Sequence, residues 1–143
     1  YSQPYIERAL QAHPVTSRVL IELFDARFDP ARLGDAGELA LDRFLRNIEN
    51  LLGSHVQNFR EILDAIVAAK QDRNGQVAAL TRFIVRLMDW VSSLDEDRIL
   101  RAFENVILAT LRTNAFQTVD GRPKAYLSLK FDSALVPDLP RPV

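Results

Sequence analysis

The feature of this sequence that most constrains its fold is a run of apolar positions whose spacing alternates between four and three residues. The run comprises Leu41, Leu45, Ile48, Leu52, His55, Phe59, Ile62 and Ile66. Such spacing places its members on one stripe of an α-helix, as in the seam of a coiled coil. Gly53 interrupts the pattern, but one interior glycine costs only about 1 kcal/mol relative to alanine, which the stripe should outweigh. We therefore predict one long helix over residues 36–70.

The polar segment that follows predicts a reversal of the chain. Residues 71–75 are polar, and the pair Asn74-Gly75 is suited to the positive φ angles of a tight turn. A second apolar stripe then begins, and its members are Val77, Leu80, Ile84, Leu87 and Val91. This stripe predicts a return helix that packs antiparallel on the long helix, so that the two form a long helical hairpin.

Two shorter helices are expected before the hairpin. The first is predicted from Pro4 to Ala12, with Ser2 or Gln3 as its cap, because proline is tolerated in the first turn of a helix. The second is predicted over residues 14–28 and should stop at Asp29-Pro30, since a residue before proline disfavours helical angles. Its apolar stripe consists of Val19, Leu20, Leu23 and Phe24.

Two capping boxes predict where further helices begin. Asp35 is followed by Glu38, and Ser93 is followed by Glu96, each at the third helical position. In this arrangement each side chain accepts a hydrogen bond from a backbone donor that the helix itself leaves free. The acidic run 95–97 adds negative charge where the helix dipole is positive. We interpret that run as capping charge rather than as a general acid or a metal site.

The helix that follows Ser93 is expected to end near Asn114. Asparagine tolerates the left-handed conformation that closes many helices, and Arg112 would offset the negative end of the dipole. Helix termination therefore accounts for the polar segment 112–114 without a binding role. The buried stripe of this helix is predicted to comprise Ile99, Leu100, Phe103, Val106, Ile107 and Leu111.

The pattern changes after Ala115. Residues 125–131 alternate between apolar and polar side chains with a period of two, which predicts a β-strand. Asp120-Gly121 is a turn signal, and residues 116–119 are the weak partner strand that it would connect. The last stretch, 136–143, contains three prolines and is expected to be extended and linker-like.

These elements define the predicted fold class, an all-α antiparallel helical bundle with one long helical hairpin. A short C-terminal β-strand or hairpin and a proline-rich extended tail complete it. The predicted domains are a helical bundle over 1–115 and, over 116–143, a strand unit and linker that lead into a catalytic domain. The chain begins at Tyr1 rather than methionine, so we expect a piece of a longer protein.

Composition excludes several classes of function. Cysteine is absent, so disulfides, thiolate metal sites and a cysteine nucleophile are excluded, and a reducing cytoplasm is expected. The formal net charge is -1, from 18 basic and 19 acidic residues spread along the chain, which does not favour nucleic acid or anionic lipid as a partner. No apolar run approaches the roughly 18 residues that a membrane helix needs, so a soluble cytoplasmic protein is expected.

The sequence predicts no catalytic, cofactor-binding or metal-ligating residue. Its glycines lie at positions 34, 37, 53, 75 and 121. They form neither GxGxxG nor GxxxxGK[ST], the phosphate-binding loops that link a strand to a helix, so no dinucleotide site is expected. His13 and His55 lack the spacing of metal ligands. His55 is interpreted as a polar position of the seam that fixes its register. Trp90 and Met88 are interpreted as core or interface residues.

Three segments of the sequence are similar to one family. SLDEDRILRAFENVILATLRTNAFQ, at 93–117, and GRPKAYLSLKFDSALVPDLPRP, at 121–142, resemble the large bacterial NAD-specific glutamate dehydrogenases. VLIELFDARFDP, at 19–30, resembles a stretch of the same family that lies further upstream. The three occur in the order of the family, and DEDRILR, TLRTN and YLS[FL]K are distinctive motifs. The middle, 31–92, matches little of this pattern and suggests a lineage-specific helical extension.

The resemblance implies a parent enzyme that converts L-glutamate, water and NAD to 2-oxoglutarate, ammonia and NADH. It implies that this chain is the helical region immediately before the catalytic domain, and that the catalytic region lies beyond Val143. No catalytic or cofactor residue of the family carries over to any position here. The implied partners are the catalytic and regulatory parts of the same polypeptide, in a homo-oligomer, with NAD bound elsewhere in the parent.

Two other functions remain open from the sequence. One is a free-standing helical module whose long hairpin binds a partner helix, and the other is a regulator of nucleic acid. The near-neutral charge disfavours the second. A dehydrogenase domain encoded in the same reading frame after Pro142 would distinguish a connector from a free-standing module.

Overall fold

The computed structural model describes residues 1–132, and the proline-rich stretch 136–143 lies outside them. The first two helices agree with the sequence prediction. α1 spans Gln3–Ala12, with the hydroxyl of Ser2 accepting a hydrogen bond from the backbone N–H of Tyr5 at 3.4 Å. α2 spans Pro14–Phe28. The proline at the start of α2 lies where its missing N–H has no helical partner to lose.

The prediction of one long helix over residues 36–70 is wrong. α3 spans Asp35–Leu52, a 3₁₀ segment covers Gly53–Phe59, and α4 spans Arg60–Ala68. Gly53 adopts a φ of +55°, which only glycine reaches without strain, so the helix stops there. A straight helix of that length would extend about 50 Å. The interruption instead allows α3 and α4 to bury their apolar faces in the same core.

The reversal lies at residues 69–72 rather than at Asn74-Gly75, which are helical. α5 spans Arg73–Leu87, and the Asp72 carboxylate caps it by accepting a hydrogen bond from the N–H of Gly75 at 3.0 Å. This cap draws the two predicted turn residues into the first turn of the helix, where no positive φ is required. A 3₁₀ turn, Met88–Trp90, ends the return segment.

α4 and α5 form an antiparallel hairpin, as predicted for the return helix. Arg86 of α5 donates a hydrogen bond to the carbonyl of Asn58 at 2.8 Å, and the rings of Phe59 and Phe83 lie 5.3 Å apart. At the other end, the amide of Gln76 donates to the carbonyl of Ala69 at 3.1 Å. The most extensive packing of α5, however, is against α2. α2 packs in addition against α1, α3 and α6 and is therefore the central helix of the bundle.

A single core joins the helices. Phe59 and Ile62 are buried in it, as the stripe predicts. Its fully buried large apolar residues are Leu23, Leu41, Phe44, Ile48, Leu63, Ile66, Leu80, Phe83, Ile84, Leu87 and Leu100. Within residues 1–132, no helix is long and apolar enough to cross a membrane.

The predicted capping box at the start of α3 is absent. Gly34 is the N-cap residue, and Asp35 is the first residue of the helix and makes no capping hydrogen bond. The Glu38 carboxylate accepts a hydrogen bond from the amide of Gln71 instead. The backbone here is tightly packed, because a Cβ on Gly37 would lie 2.1 Å from the carbonyl oxygen of Arg32. Contact with the preceding loop therefore positions this helix start.

α6 spans Leu94–Ala109 and begins as predicted, with the Ser93 hydroxyl accepting from the N–H of Glu96 at 3.3 Å. It ends five positions before Asn114, so the predicted helix end is wrong. The carbonyls of its last turn already have partners that are not helical. The Thr110 hydroxyl donates to the carbonyl of Val106 at 2.6 Å, and the N–H of Asp132 donates to the carbonyl of Ala109 at 2.8 Å.

The C-terminal strands form two small antiparallel sheets, and their bounds are β1, Thr110–Thr113; β2, Thr118–Val119; β3, Arg122–Pro123; and β4, Leu129–Phe131. β2 pairs with β3 across Asp120-Gly121, whose φ angles are +51° and +76°, which confirms the predicted turn. β4 is shorter than the predicted strand over 125–131. It pairs with β1 rather than with residues 116–119, because β1 has left the predicted helix and is free to bond.

Candidate functional site

α6 is joined to the first two helices at both of its ends. At its C-terminal end, the Arg27 guanidinium of α2 donates hydrogen bonds to the carbonyls of Ile107, at 2.8 Å, and Leu108. Carbonyls in the last turn of a helix lack helical partners and carry partial negative charge, so a cation that bonds to them stabilises the helix end. Burial lowers the pKa of Arg27 from its usual value.

At the start of α6, two side chains of its first turn contact the N-terminal part of the chain. Glu96 Oε1 lies 2.9 Å from Nε2 of His13, the residue between α1 and α2. The Tyr1 hydroxyl donates to Asp95 at 2.9 Å. The acidic run 95–97 therefore does more than cap a helix, because Asp95 and Glu96 also form hydrogen bonds with Tyr1 and His13.

A buried polar network lies between α2, α5 and the loop that precedes α3. Arg32 donates to Glu22 at 2.6 Å and to the side-chain carbonyl of Gln76 at 2.6 Å, and all three residues are 1% exposed. Arg18 donates to the second oxygen of Glu22 at 3.0 Å. Among the described residues, one Arg32 nitrogen, Nη2, has no hydrogen-bond partner. The network joins the loop to both helices.

A second arginine joins the start of α5 to the end of α2. Arg73, the first residue of α5, donates to the backbone carbonyls of Ala26, at 2.8 Å, and Asp29, at 2.9 Å. These carbonyls lie at the C-terminal end of α2, where a helix leaves its acceptors free. The start of α5 is thereby attached to the end of α2.

Asp25 is the titratable group of this region with the largest shift. Burial, and after it the neighbouring Glu22 carboxylate, raise the pKa of the Asp25 carboxyl to about 6 against the opposing effect of Arg32. The Glu104 carboxyl of α6 is also half-buried, and burial raises its pKa while Arg101 lowers it. Burial favours the neutral form of a carboxyl because it removes the water that stabilises the charge.

The surface formed by α1, α2 and α6 carries two apolar grooves. One is a cavity of about 730 Å³ lined by Ile6, Ile99 and Val106, and the other is a cavity of about 440 Å³ lined by Leu20, Phe24 and Leu127. Phe103 lines both and is 37% exposed, although the sequence predicted a buried position. Leu111, also predicted to be buried, is 56% exposed because it lies on β1 and not on the helix.

A polar depression of about 380 Å³ lies at the strands. Its lining residues are Arg112, Thr113, Asn114, Gln117, Lys124, Tyr126, Ser128 and Lys130. Asn114 fixes one wall, because its amide donates to the carbonyl of Tyr126 at 2.8 Å and accepts from the N–H of Ser128 at 2.6 Å. The segment 112–114, interpreted from sequence as a helix terminus, thus forms a strand and the wall of a depression.

The structure also places the other residues that the sequence singles out, His55, Trp90 and Met88. His55 is exposed and lies in the 3₁₀ segment, so its predicted place in a seam is wrong. Its ring lies 5.2 Å from the ring of Trp90, which also contacts Phe59 at 5.3 Å. Met88 is buried in the core. Among residues 1–132, no three carboxylate or histidine side chains are grouped to hold a metal ion.

Sequence reasoning missed the buried network, although two of its members left a signal. Glu22 lies among the buried positions Val19, Leu23 and Ala26 of α2. Gln76 lies one turn before the buried Leu80 of α5. A polar residue at a position where the helical period requires an apolar one indicates a buried partner. Arg32 itself gave no such signal, because it lies in a loop.

Two family models match parts of the chain. The model for "Glutamate dehydrogenase, helical motif 3" matches residues 1–30, which contain α1 and α2. The model for "Bacterial NAD-glutamate dehydrogenase, catalytic domain" matches residues 83–143, which begin within α5. The expectation that the family's catalytic region begins beyond Val143 is therefore corrected, since this match starts 60 residues earlier.

Several proteins of known name are similar to nearly the whole chain. The "NAD-specific glutamate dehydrogenase" of Mycobacterium tuberculosis is 35% identical over 99% of this chain and 7% of its own length. The proteins of the same name from Halomonas elongata and Pseudomonas aeruginosa are 32% and 34% identical over 99% and 97% of this chain, and 6% of their own length. The chain thus spans only a small part of these relatives. No solved structure matches it.

The relatives also correct the expectation for the middle of the chain. Their alignments extend over 97% to 99% of it, so residues 31–92 are not an extension that the relatives lack. α3 and α4 of that region consist largely of generic helix-forming residues, which carry no distinctive motif. Their buried positions nevertheless belong to the core that α2 and α5 share.

Proposed function

Because the chain belongs to the family of bacterial NAD-specific glutamate dehydrogenases, we propose that it is a non-catalytic structural junction within such an enzyme. Its role is to hold a helical motif in a fixed position against the start of the catalytic domain. Residues of this chain provide the framework, and the groups that react with substrate lie elsewhere in the parent. No catalytic, cofactor-binding or metal-ligating residue is assigned to it.

One observation carries this proposal. The segment that matches the helical motif and the segment that matches the catalytic domain share one hydrophobic core. Leu20 and Leu23 of the first lie in the same buried cluster as Phe83, Leu87 and Leu100 of the second. Separating the two segments would expose apolar surface at about 25 cal/mol per Å². Such a contact supports a rigid junction rather than a flexible linker.

The polar contacts of α6 support the same role. Arg27 bonds to the C-terminal end of α6, and His13 and Tyr1 contact its first turn. Since β1 follows α6 directly, a displacement of α1 and α2 would displace the strands as well. We therefore infer that the junction couples the position of the helical motif to that of the strand unit, and in this sense acts as an allosteric connector.

The parent is proposed to oxidise L-glutamate with NAD and water, giving 2-oxoglutarate, ammonia and NADH. NAD would bind in the parent outside this chain. The partners of the chain would be the other domains of the same polypeptide, in a homo-oligomer, and neither nucleic acid nor a membrane. This assignment rests on the family, and the junction role rests on the shared core.

The junction is tested in the full-length parent enzyme with Leu23→Ala. Truncating a buried leucine costs about 2 to 5 kcal/mol, so the temperature of inactivation should fall while kcat/KM at low temperature stays at the parent value. Ile21→Ala is the matched control, because Ile21 lies on the same helix and is 57% exposed. A tenfold loss of kcat/KM at unchanged thermal stability would contradict a purely structural role.

The absence of a cofactor site is tested by calorimetric titration of the 143-residue chain with NAD. We expect no dissociation constant tighter than about 100 micromolar, which corresponds to roughly -5.5 kcal/mol. Tighter binding would place a cofactor subsite within the chain and overturn the non-catalytic assignment.

A further inference from the structure

The polar depression at the strands has an unfavourable charge arrangement. Arg112 of β1 and Lys130 of β4 are direct partners in the antiparallel register, so their side chains project from the same face. Like charges directly opposite each other on neighbouring strands destabilise a sheet. The two strands are also short, and a two-stranded sheet is marginally stable by itself. A sheet of this kind gains stability if an anion neutralises the pair.

Within residues 1–132, no acidic side chain neutralises the pair. Lys124, which follows β3, adds a third cation to the depression, and none of its lining residues is an aspartate or a glutamate. Arg112, Lys124 and Lys130 form no ion pair with any residue in the part of the chain that the structure describes. The chain as a whole carries a formal net charge of -1, so this local excess does not follow from composition.

Neutral donors complete the depression. The Thr113 hydroxyl oxygen accepts a hydrogen bond from the N–H of Ala115 at 3.1 Å, which leaves its hydrogen free to donate. The hydroxyl of Ser128 and the amide of Gln117 also line the depression. Asn114 faces the same space but is engaged with the backbone of Tyr126 and Ser128, so it holds the wall in place.

We propose that this depression is a binding site for a phosphate group, either free phosphate or the terminal group of a phosphorylated small molecule. An arginine fork and ammonium groups bind phosphate oxygens through charge-assisted hydrogen bonds, and hydroxyl and amide donors can bind the remaining oxygens. A cavity of about 380 Å³ accommodates such a group with access from solvent. The site is independent of the junction role and would persist if that role were disproved.

Titration of the 143-residue chain with inorganic phosphate, at constant ionic strength against chloride, tests the site. Backbone amide shifts of residues 112–114 and 128–130 should change with saturation. Arg112→Gln and Lys130→Gln should each weaken binding at least tenfold, which is about 1.4 kcal/mol. The matched control is Arg43→Gln, which removes the same charge from an exposed position of α3 and should leave the affinity unchanged.

Two further ligands identify the chemistry. Glycerol 3-phosphate should bind at least as tightly as inorganic phosphate if the natural ligand is a phosphorylated molecule, and more weakly if the site takes the free ion. Succinate should bind more weakly than either. Tighter binding of succinate than of phosphate would overturn the phosphate assignment. If Arg43→Gln weakened phosphate binding as much as Arg112→Gln does, the binding would be general charge attraction and the site would be disproved.

A sign change provides the sharpest test. In chloride, Lys130→Gln removes a like-charge contact, so amide exchange of β1 and β4 should slow. In saturating phosphate the same substitution removes a ligand group, so exchange should become faster than in the parent. An effect of the same sign in both solutions would overturn the site, because simple relief of repulsion does not depend on the identity of the anion at constant ionic strength.

Discussion

The two charged clusters of this chain are built on opposite rules. In the buried network, Arg32 lies between the Glu22 carboxylate and the Gln76 carbonyl and is 1% exposed. In the polar depression, Arg112 lies opposite Lys130 at the surface. A buried cation must find acceptors within the protein, since water cannot reach it. An exposed cation can remain next to another, because solvent and dissolved anions screen it.

The comparison separates two kinds of polar residue that look alike in a sequence. The first kind fixes the relative positions of helices, and its removal should be felt in stability. The second kind contributes little to stability and remains available to a ligand. The helical core differs from the strand unit, β1 to β4, in the same way. Large buried side chains stabilise the helical core, whereas few side chains of the strand unit are buried.

The largest effect is expected from breaking the buried network. Arg32→Met leaves Gln76 without its buried donor and leaves Glu22 with Arg18 as its remaining cation. Removing one partner of a buried ion pair costs about 3 to 5 kcal/mol, and the contact with Arg18 places the expected loss near the lower value. Urea unfolding followed by circular dichroism measures the loss. The control is Arg60→Met, since Arg60 pairs with Glu49 at 3.8 Å on the surface and should lose at most about 1 kcal/mol. Equal losses would mean that burial does not distinguish the clusters.

A comparable effect is expected from the apolar contacts of the hairpin. Phe59 is 3% exposed and packs on the rings of Phe83 and Trp90. Phe59→Ala should cost about 3 to 5 kcal/mol, because it leaves a cavity in the core. Thermal melts compare it with Leu51→Ala, whose side chain is 42% exposed. A variant that melts with its parent would show that this part of the hairpin contributes little to the core.

A smaller, pH-dependent effect should come from Asp25. Its pKa is raised from 3.8 to about 6 in the folded chain, so the folded state binds the proton more tightly than the unfolded state. The charged carboxylate therefore destabilises the fold above about pH 6, and this penalty is lost as the pH falls towards 3.8. Glu104 is expected to act in the same direction.

Asp25→Asn isolates the contribution of Asp25. The variant should be more stable than its parent at pH 7, by at most about 1 kcal/mol after allowance for solvent screening of a half-buried group. The difference should vanish below about pH 3, where the parent carboxyl is largely protonated in both the folded and the unfolded state. Urea unfolding at several pH values measures it. A difference that stays constant with pH would refute the raised pKa.

Much of the fold could be predicted from the sequence, because helical periodicity and caps act locally. α1, α2 and the start of α6 follow from Ser2, Pro14 and Ser93. The break at Gly53 could not be predicted, because its energy depends on where α3 and α4 find the common core. The end of α6 could not be predicted either, because the carbonyls of its last turn accept hydrogen bonds from residues distant in sequence, such as Arg27.

The candidate site was harder to predict from the sequence than the fold. From sequence, the segment 112–114 predicts a helix terminus, because a cation and an asparagine are typical of one. Only the pairing of β1 with β4 brings Lys130 opposite Arg112. That pairing depends on contacts over 18 residues of separation, whose cost the local pattern does not reveal. The sequence alone therefore does not show whether Arg112 caps the end of a helix or lines a depression. The strand register is needed to distinguish the two.

The smallest expected difference concerns the strand unit and what adjoins it. β1 and β4 pair only with each other within residues 1–132, although Phe116 stacks on Phe24 at 6.0 Å and attaches the unit to α2. Amide hydrogen exchange should therefore show weaker protection at 129–131 than in α5, because few buried contacts oppose local opening. In a polypeptide extended through the rest of the proposed catalytic domain, we expect an added strand to complete this sheet and slow exchange at 129–131. Exchange in α5 should stay unchanged, since that helix is already buried. Equal protection of β4 in both polypeptides would mean that the two-stranded sheet is complete by itself. The helical core and the strand unit would then differ only in how their charged residues are paired.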